Sequence, residues 1–457
     1  MQALRGRAIM VSNDARGPSR VGRTLSRRDF LKVSGAGIAG MTALATAGCG
    51  GSGQGDSGTV TYAEGPDDTG TLQKLLDGFN KKYEGKYKVE YREMPADTQS
   101  YLNKLVTELQ AGKSDVDVIA GDVIWAAQLA ANGWLMDLSD RFAGDLQGEF
   151  IPGNVRSNEY EGKIWGVPFV TGAGLLYYRK DLLEKSGFPG PPETWDELKR
   201  MALRAKRDSG TRFGFVFQGA NYEGGVCNAL EYIWNYGGDV LDPDDPTKVV
   251  VDSPEAVAGL SEYSSMISDG VTTRAMTTYK EEEAQAAFLR GDAVFMRNWS
   301  YVYALTSDPT QSEIKPEQVG ISTLPVAEKG RQSTNVLGAT NLYVNATTRS
   351  AEASWALIRY FTAPEQQELR AVEGARIPVL KSSYEDEQLL DEVPVMALGK
   401  TALQTVRPRP VSPYYSDMSL EMAERFAAIL AGETSPKQGA VALRSDLEEV
   451  IELGKDL

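Results

Sequence analysis

The 457-residue sequence contains no histidine. That removes the commonest general base and the commonest metal ligand, and it excludes Ser-His-Asp and Cys-His catalysis. Cysteine is nearly absent as well: Cys49 and Cys227 are the only two, so no disulfide framework is expected. No segment is apolar and long enough to cross a bilayer as a helix. Positive charge is short, with 48 Lys and Arg against 63 Asp and Glu and a formal net charge of -15. Eight basic and two acidic residues precede Cys49, a local balance of +6, which leaves -21 for the remainder. So acidic a body argues against nucleic acid as a partner, against a membrane-hugging surface and, more weakly, against an anionic ligand. What is present is the composition of a soluble globular protein, 42% hydrophobic and 24% charged, and too long for one simple core. Two domains or lobes are expected.

The stretch 26–49, SRRDFLKVSGAGIAGMTALATAGC, reads as an export address followed by an attachment point. Arg27 and Arg28 before Phe30-Leu31-Lys32 resemble a twin-arginine export signal. A weakly apolar run follows, and the small residues before Cys49 resemble a bacterial lipobox, in which the cysteine is acylated and the leader removed. The expected mature chain begins at Cys49, lipid-anchored on the outer face of the cytoplasmic membrane. Residues 50–58, GGSGQGDSG, form a flexible tether with a reach of roughly 5–6 Å times the square root of its length.

The body opens as βαβαβα. Strands are expected at Thr59–Ala63, Lys88–Met94 and Val116–Ala120, and helices at Thr71–Tyr83, Thr98 to about Ala111, and Ile124–Asn132. That order predicts a parallel sheet with helices on its faces and ligands beyond the carboxyl ends of its strands, at Glu64–Gly70 and Gly121–Ile124. Thr194 and Glu197 are spaced as a capping box, a short helix is expected at Ala284–Phe288, and Ala293–Met296 reads as a strand ending at Arg297-Asn298-Trp299. Asp242-Pro243-Asp244-Asp245 lacks calcium-loop spacing and reads as a turn.

Five pieces, in order, resemble the extracellular solute-binding proteins of ABC importers, in the sugar-binding group near the trehalose/maltose-binding proteins. They are GVPFVTGAGLLYYRKDLLEKSG (166–187), PPETWDELK (191–199), FGFVFQGANYEGGVCNALEYIWNYGG (213–238), AAFLRGDAVFMRNWSYVYAL (286–305) and RPRPVSPYYSDMSLEMAERFAAILAGETSP (407–436). The resemblance implies an α/β, two-lobed periplasmic-binding-protein-like fold with hinge strands and a ligand cleft. It implies crossings near Phe169–Gly172, Asn335–Thr340 and Ser383–Leu389. Lobe one would be 59–169 plus 340–383, and lobe two 170–339 plus 384–457.

The resemblance also implies site residues. Sugar recognition pairs aromatic faces with carboxylates, amides and arginines that bond hydroxyls. Trp299 matches the family's stacking tryptophan, Asp122 an acidic residue after a strand, and Asp68 (or its neighbour Asp67) an acidic residue in the first strand-helix loop. Tyr222 matches an aromatic of lobe two, and Arg376 is placed on the sugar or as a brace of the cleft. Asp122 and Asp68 are also well placed to cap helices. Trp125 and Tyr415 are expected in the core or at the rim, and Cys227 buried and inert.

Two family features are missing. Val170-Thr171-Gly172 stands where an aromatic and an acidic residue are usual, and Leu337-Gly338-Ala339-Thr340-Asn341 has no tryptophan. The expected function is ligand capture for an ABC permease, without catalysis, cofactor or metal, by a monomer. The expected ligand is a disaccharide such as trehalose or maltose. The alternatives are a polyol or another uncharged solute, an extracytoplasmic glycosidase with paired carboxylates, or a sensor that signals to a receptor.

Overall fold

A computed structural model describes residues 58–455 apart from 113, 404 and 411. The export signal, Arg27, Arg28 and Cys49 lie outside the described residues. The chain runs β1 (Thr59–Glu64), α1 (Thr71–Lys82), β2 (Lys88–Glu93), α2 (Thr98–Gln110), β3 (Val118–Asp122), α3 (Trp125–Ala131) and β4 (Gly166–Val170). It then enters a second α/β unit with β5 (Leu175–Arg179), α4 (Trp195–Ser209), β6 (Phe213–Val216), α5 (Glu223–Asn235), α6 (Pro254–Ser268), α7 (Glu281–Leu289), β7 (Ala293–Asn298) and β8 (Val319–Ser322). After β9 (Asn335–Val336) it returns to the first sheet as β10 (Thr340–Val344), followed by α8 (Ala351–Phe361) and α9 (Pro364–Gly374). β11 (Val406–Arg407), α10 (Tyr415–Leu430) and α11 (Pro436–Lys455) close the chain.

The first sheet has the order β2-β1-β3-β10-β4. β1 pairs parallel with β2 and β3, while β10 runs antiparallel between β3 and β4. Successive side chains feed opposite faces: Val118, Ala120, Leu342 and Val344 pack on one side, and Ile119 and Tyr343 on the other. This alternation is what a sheet covered on both faces requires. The second sheet, β8-β5-β7-β6, has its own large core.

The two sheets meet where chain crosses between them. Thr171 bridges Ile377, Ala173 bridges Leu337, and the Gly338 N–H donates to the Gly172 carbonyl at 3.0 Å. β9 pairs with β11 beside this junction. In register, Thr340 stands opposite both Asp122 and Val170. The ends of β3, β10 and β4 therefore share one edge, turned toward the second lobe.

Local elements differ from expectation in three useful ways. The third strand is shifted two residues on, so Asp122 is its last residue. The short helix is longer, Glu281–Leu289, and its first turn carries Glu281 and Glu282. The Glu197 carboxylate does not bond the cap residue's own N–H, as a capping box requires; it accepts from Glu193 N–H at 2.9 Å while Thr194 Oγ1 accepts from Glu197 N–H at 3.2 Å.

Candidate functional site

The first lobe supplies two aspartates of different kinds. Asp67 holds the entry to α1: its carboxylate accepts from Thr69 N–H at 3.2 Å, Thr69 Oγ1 at 2.7 Å and Leu72 N–H at 2.7 Å. Arg376 Nη2 lies 3.4 Å away. Burial alone would raise this carboxyl, but the Arg376 guanidinium and the donors from Thr69 and Leu72 outweigh it and bring it down to about 2. Asp68 is exposed and lines the cavity between the lobes. The division follows from geometry: Asp67 is spent on the helix entry and Asp68 faces the cleft. The Asp68 side chain makes no cap.

Asp122, at the end of β3, accepts from Ile124 N–H at 3.2 Å and from Arg409 Nη1 at 3.3 Å. Burial raises its carboxyl, and Arg409 pulls in the opposite direction. So the helix-entry role and the cavity position coexist in one side chain.

The second lobe supplies aromatics held by one carboxylate. Glu281 accepts from Tyr222 Oη at 2.6 Å and from Trp299 Nε1 at 3.3 Å. The Arg297 guanidinium lies 4.0 Å from the Trp299 ring centroid and covers one face of the indole. Arg297 is itself paired with Glu231 through Nε (2.8 Å) and Nη2 (2.6 Å), and both side chains are buried. A bidentate pair of this kind fixes the guanidinium plane and so the ring above it. A Cβ on Gly338 would stand 2.5 Å from Trp299 Cζ3, so the indole sits where it does because residue 338 has no side chain. Arg376 lies over the Tyr301 ring at 4.8 Å, a contact between the lobes. Lys280 Nζ and Asp97 Oδ2, 3.3 Å apart, form another.

The cavity between these groups has a volume of about 250 Å³. Asp68, Asp122, Tyr222, Trp299 and Arg376 all line it, whereas Asp67, Trp125 and Tyr415 do not. Val170, Thr171, Gly172, Gly338, Ala339 and Thr340 line it too. The small residues at the two divergent stretches therefore leave room in the cavity itself.

Other lining residues escaped the sequence reading. Arg409 and Glu223 are 2.6 Å apart, and Glu223 also accepts from Tyr415 Oη at 2.7 Å and from Ser419 Oγ. Glu223 resembles any acid in a first helical turn, and Arg409 sits between two prolines in an extended run, so neither carries a local signal. Glu281 and Glu282 are hidden in the same way, within a run of three glutamates. Tyr415 is buried and reaches the cavity only through Glu223. Trp125 is buried. Cys227 lines the cavity, and burial pushes its thiol far above the ordinary value.

Among the described residues no group of three or more Cys, Asp or Glu is placed to hold a metal ion. The arrangement offers acceptors (Asp68, Asp122, Glu281), guanidinium donors and a half-covered indole face. This set suits a ligand with many hydroxyls and an apolar ring face.

A model of bacterial extracellular solute-binding proteins matches residues 63–368. A probable ABC transporter-binding protein of Deinococcus radiodurans is 34% identical over 373 residues, covering 79% of this chain and 86% of the relative. The maltose-bound MalE3 of T. maritima superposes with a TM-score of 0.80 at 38% identity, covering 86% of this chain and 99% of that one. A solute-binding protein of Agrobacterium radiobacter K84 in complex with ribitol gives 0.75 at 26% identity, covering 86% and 99%.

Proposed function

Because the chain belongs to the bacterial extracellular solute-binding proteins, which bind substrates and are not enzymes, we propose that it captures a sugar for an ABC importer, a disaccharide such as maltose or trehalose. The supporting observation is the cavity between the lobes where a tryptophan, two tyrosines and several carboxylates converge. The maltose-bound relative at 38% identity favours the same ligand class. Ligand bridging the lobes shifts the molecule toward a closed form, and the permease selects that form.

Export and anchoring complete the proposal. Arg27 and Arg28 direct export, Cys49 carries the lipid, and the protein works as a monomer at the outer face of the cytoplasmic membrane. Replacing both arginines by lysine is expected to leave the precursor in the cytoplasm; normal export would refute that part.

A polyol ligand is the second reading, favoured by the small residues at 170–172 and 338–340 and by the ribitol complex of the Agrobacterium relative. Calorimetric titration with maltose, trehalose, glucose, sorbitol and ribitol tests both. One-to-one binding of a disaccharide supports the first reading, selective binding of an alditol supports the second, and no heat with any of them refutes both.

A further inference from the structure

Lys280 and Glu281 are neighbours where α7 begins, and they reach in different directions. Glu281 holds Tyr222 and Trp299 of its own lobe by hydrogen bonds. Lys280 places its ammonium 5.0 Å from the Tyr222 ring centroid and 3.3 Å from Asp97 Oδ2. Asp97 belongs to the first lobe: it precedes α2, and its Oδ1 accepts from Ser100 N–H at 2.8 Å, the capping bond of that helix. One ammonium thus rests on a cavity aromatic of the second lobe and pairs with a cavity carboxylate of the first, while Lys280 itself does not line the cavity. Neither residue of the pair lies on a segment that crosses between the lobes, where Thr171 meets Ile377 and Ala173 meets Leu337. A turn of one lobe about those crossings parts Lys280 from Asp97 and leaves the Ser100 and Tyr222 contacts, each within one lobe, intact.

We infer that the pair of Asp97 and Lys280 is a latch between the lobes, and that Lys280 is a positioning residue that sets how long a captured sugar stays bound. The inference rests on the sugar reading and goes beyond it, from what is bound to what governs release. A ligand between the lobes leaves only when they part, and parting breaks this pair. Association starts from the parted form, where the pair is already apart, so the latch acts on release and not on capture. The other cations at the cavity do different work. Arg376 pairs with Asp67 of its own lobe, and Arg409 is buried between Asp122 and Glu223. The Lys280 and Asp97 side chains are 37% and 19% exposed, so their charges are partly solvated and open to screening by salt.

The test is stopped-flow tryptophan fluorescence on the full chain, with whichever of maltose, trehalose, glucose, sorbitol and ribitol binds. Lys280→Met keeps an apolar stem over Tyr222 and removes the charge; Asp97→Asn keeps a residue that caps α2. Each is expected to speed release roughly two- to fivefold, with association within about twofold and the thermal midpoint of the ligand-free protein unchanged. The double variant is expected to release no faster than the faster single one, because both changes remove one contact. Raising the salt from about 0.05 M to about 0.5 M is expected to speed release from the wild type and not from the variants. Release rates unchanged in the variants, or single effects that multiply in the double variant, would overturn the latch and leave the sugar reading intact. So would variants that slow association as much as they speed release. Wild-type silence with all five ligands would overturn the sugar reading and the latch together.

Discussion

The Arg409 guanidinium lies 2.6 Å from the Glu223 carboxylate, with neither side chain more than 4% exposed. The same guanidinium reaches Asp122 on the first sheet, so one buried cation joins a carboxylate from each lobe beneath the cavity. Removing it strands two carboxylates. Arg409→Met is therefore expected to destabilise the protein by about 3–5 kcal/mol. Adding Glu223→Gln and Asp122→Asn in the same chain should recover much of the loss. Thermal midpoints of the single and triple variants check this; an unchanged midpoint in Arg409→Met would mean that the carboxylates do not depend on the arginine.

Arg297 covers one face of the Trp299 indole, which lines the cavity. Trp299→Ala is expected to weaken binding of the transported sugar by about 0.5–1.5 kcal/mol from the lost stacking alone. The Arg297–Glu231 pair remains in the variant, so the thermal midpoint should move little. Calorimetry beside a melting curve separates the two effects, and full affinity in the variant would take Trp299 out of the site.

Gly338, between β9 and β10, acts on the same indole. In Gly338→Ala the new methyl would meet Trp299 Cζ3 at 2.5 Å, so the ring must shift and its bond to Glu281 must lengthen. Weakened sugar binding is expected, together with an altered near-ultraviolet circular dichroism signal. An alanine variant with wild-type affinity and spectrum would show that the contact is not restrictive.

Asp67 makes an acid-side contribution to stability. Its folded value is depressed to about 2 from 3.8, so the carboxylate stabilises the fold fully above the unfolded value and loses that contribution as pH falls through the folded one. The size is about 2 kcal/mol. The stability gap between wild type and Asp67→Asn should be widest near neutral pH and shrink as pH falls from about 4 toward 2. Denaturant titrations at several pH values read it directly; a gap that does not change with pH would mean the Arg376 and backbone contacts do not favour the charged form.

The periodic elements were legible because periodicity is local. The alternation in β1, the continuous apolar run of β3 and the apolar faces of α1 and α2 announce themselves, and the resemblance of five ordered pieces carried the two-lobed arrangement. The cavity aspartates were legible because strand ends in an α/β sheet point at ligands. Choosing between Asp67 and Asp68 was not, since it depends on which carboxylate reaches Leu72 N–H and Arg376, more than three hundred residues away in the second case. Arg409, Glu223 and Glu281 were missed for the same reason: each is ordinary in its own stretch and gains its meaning only from partners brought by the fold.

The most direct measurement is a crystal structure of the protein grown with maltose, or with whichever sugar of the titration set binds. The expected result is one molecule between the lobes, a ring face on Trp299 and hydroxyls within hydrogen-bond distance of Asp68 and Asp122. A sugar bound elsewhere, with the interlobe cavity unchanged and Trp299 uncontacted, would contradict the assignment of this cleft as the binding site.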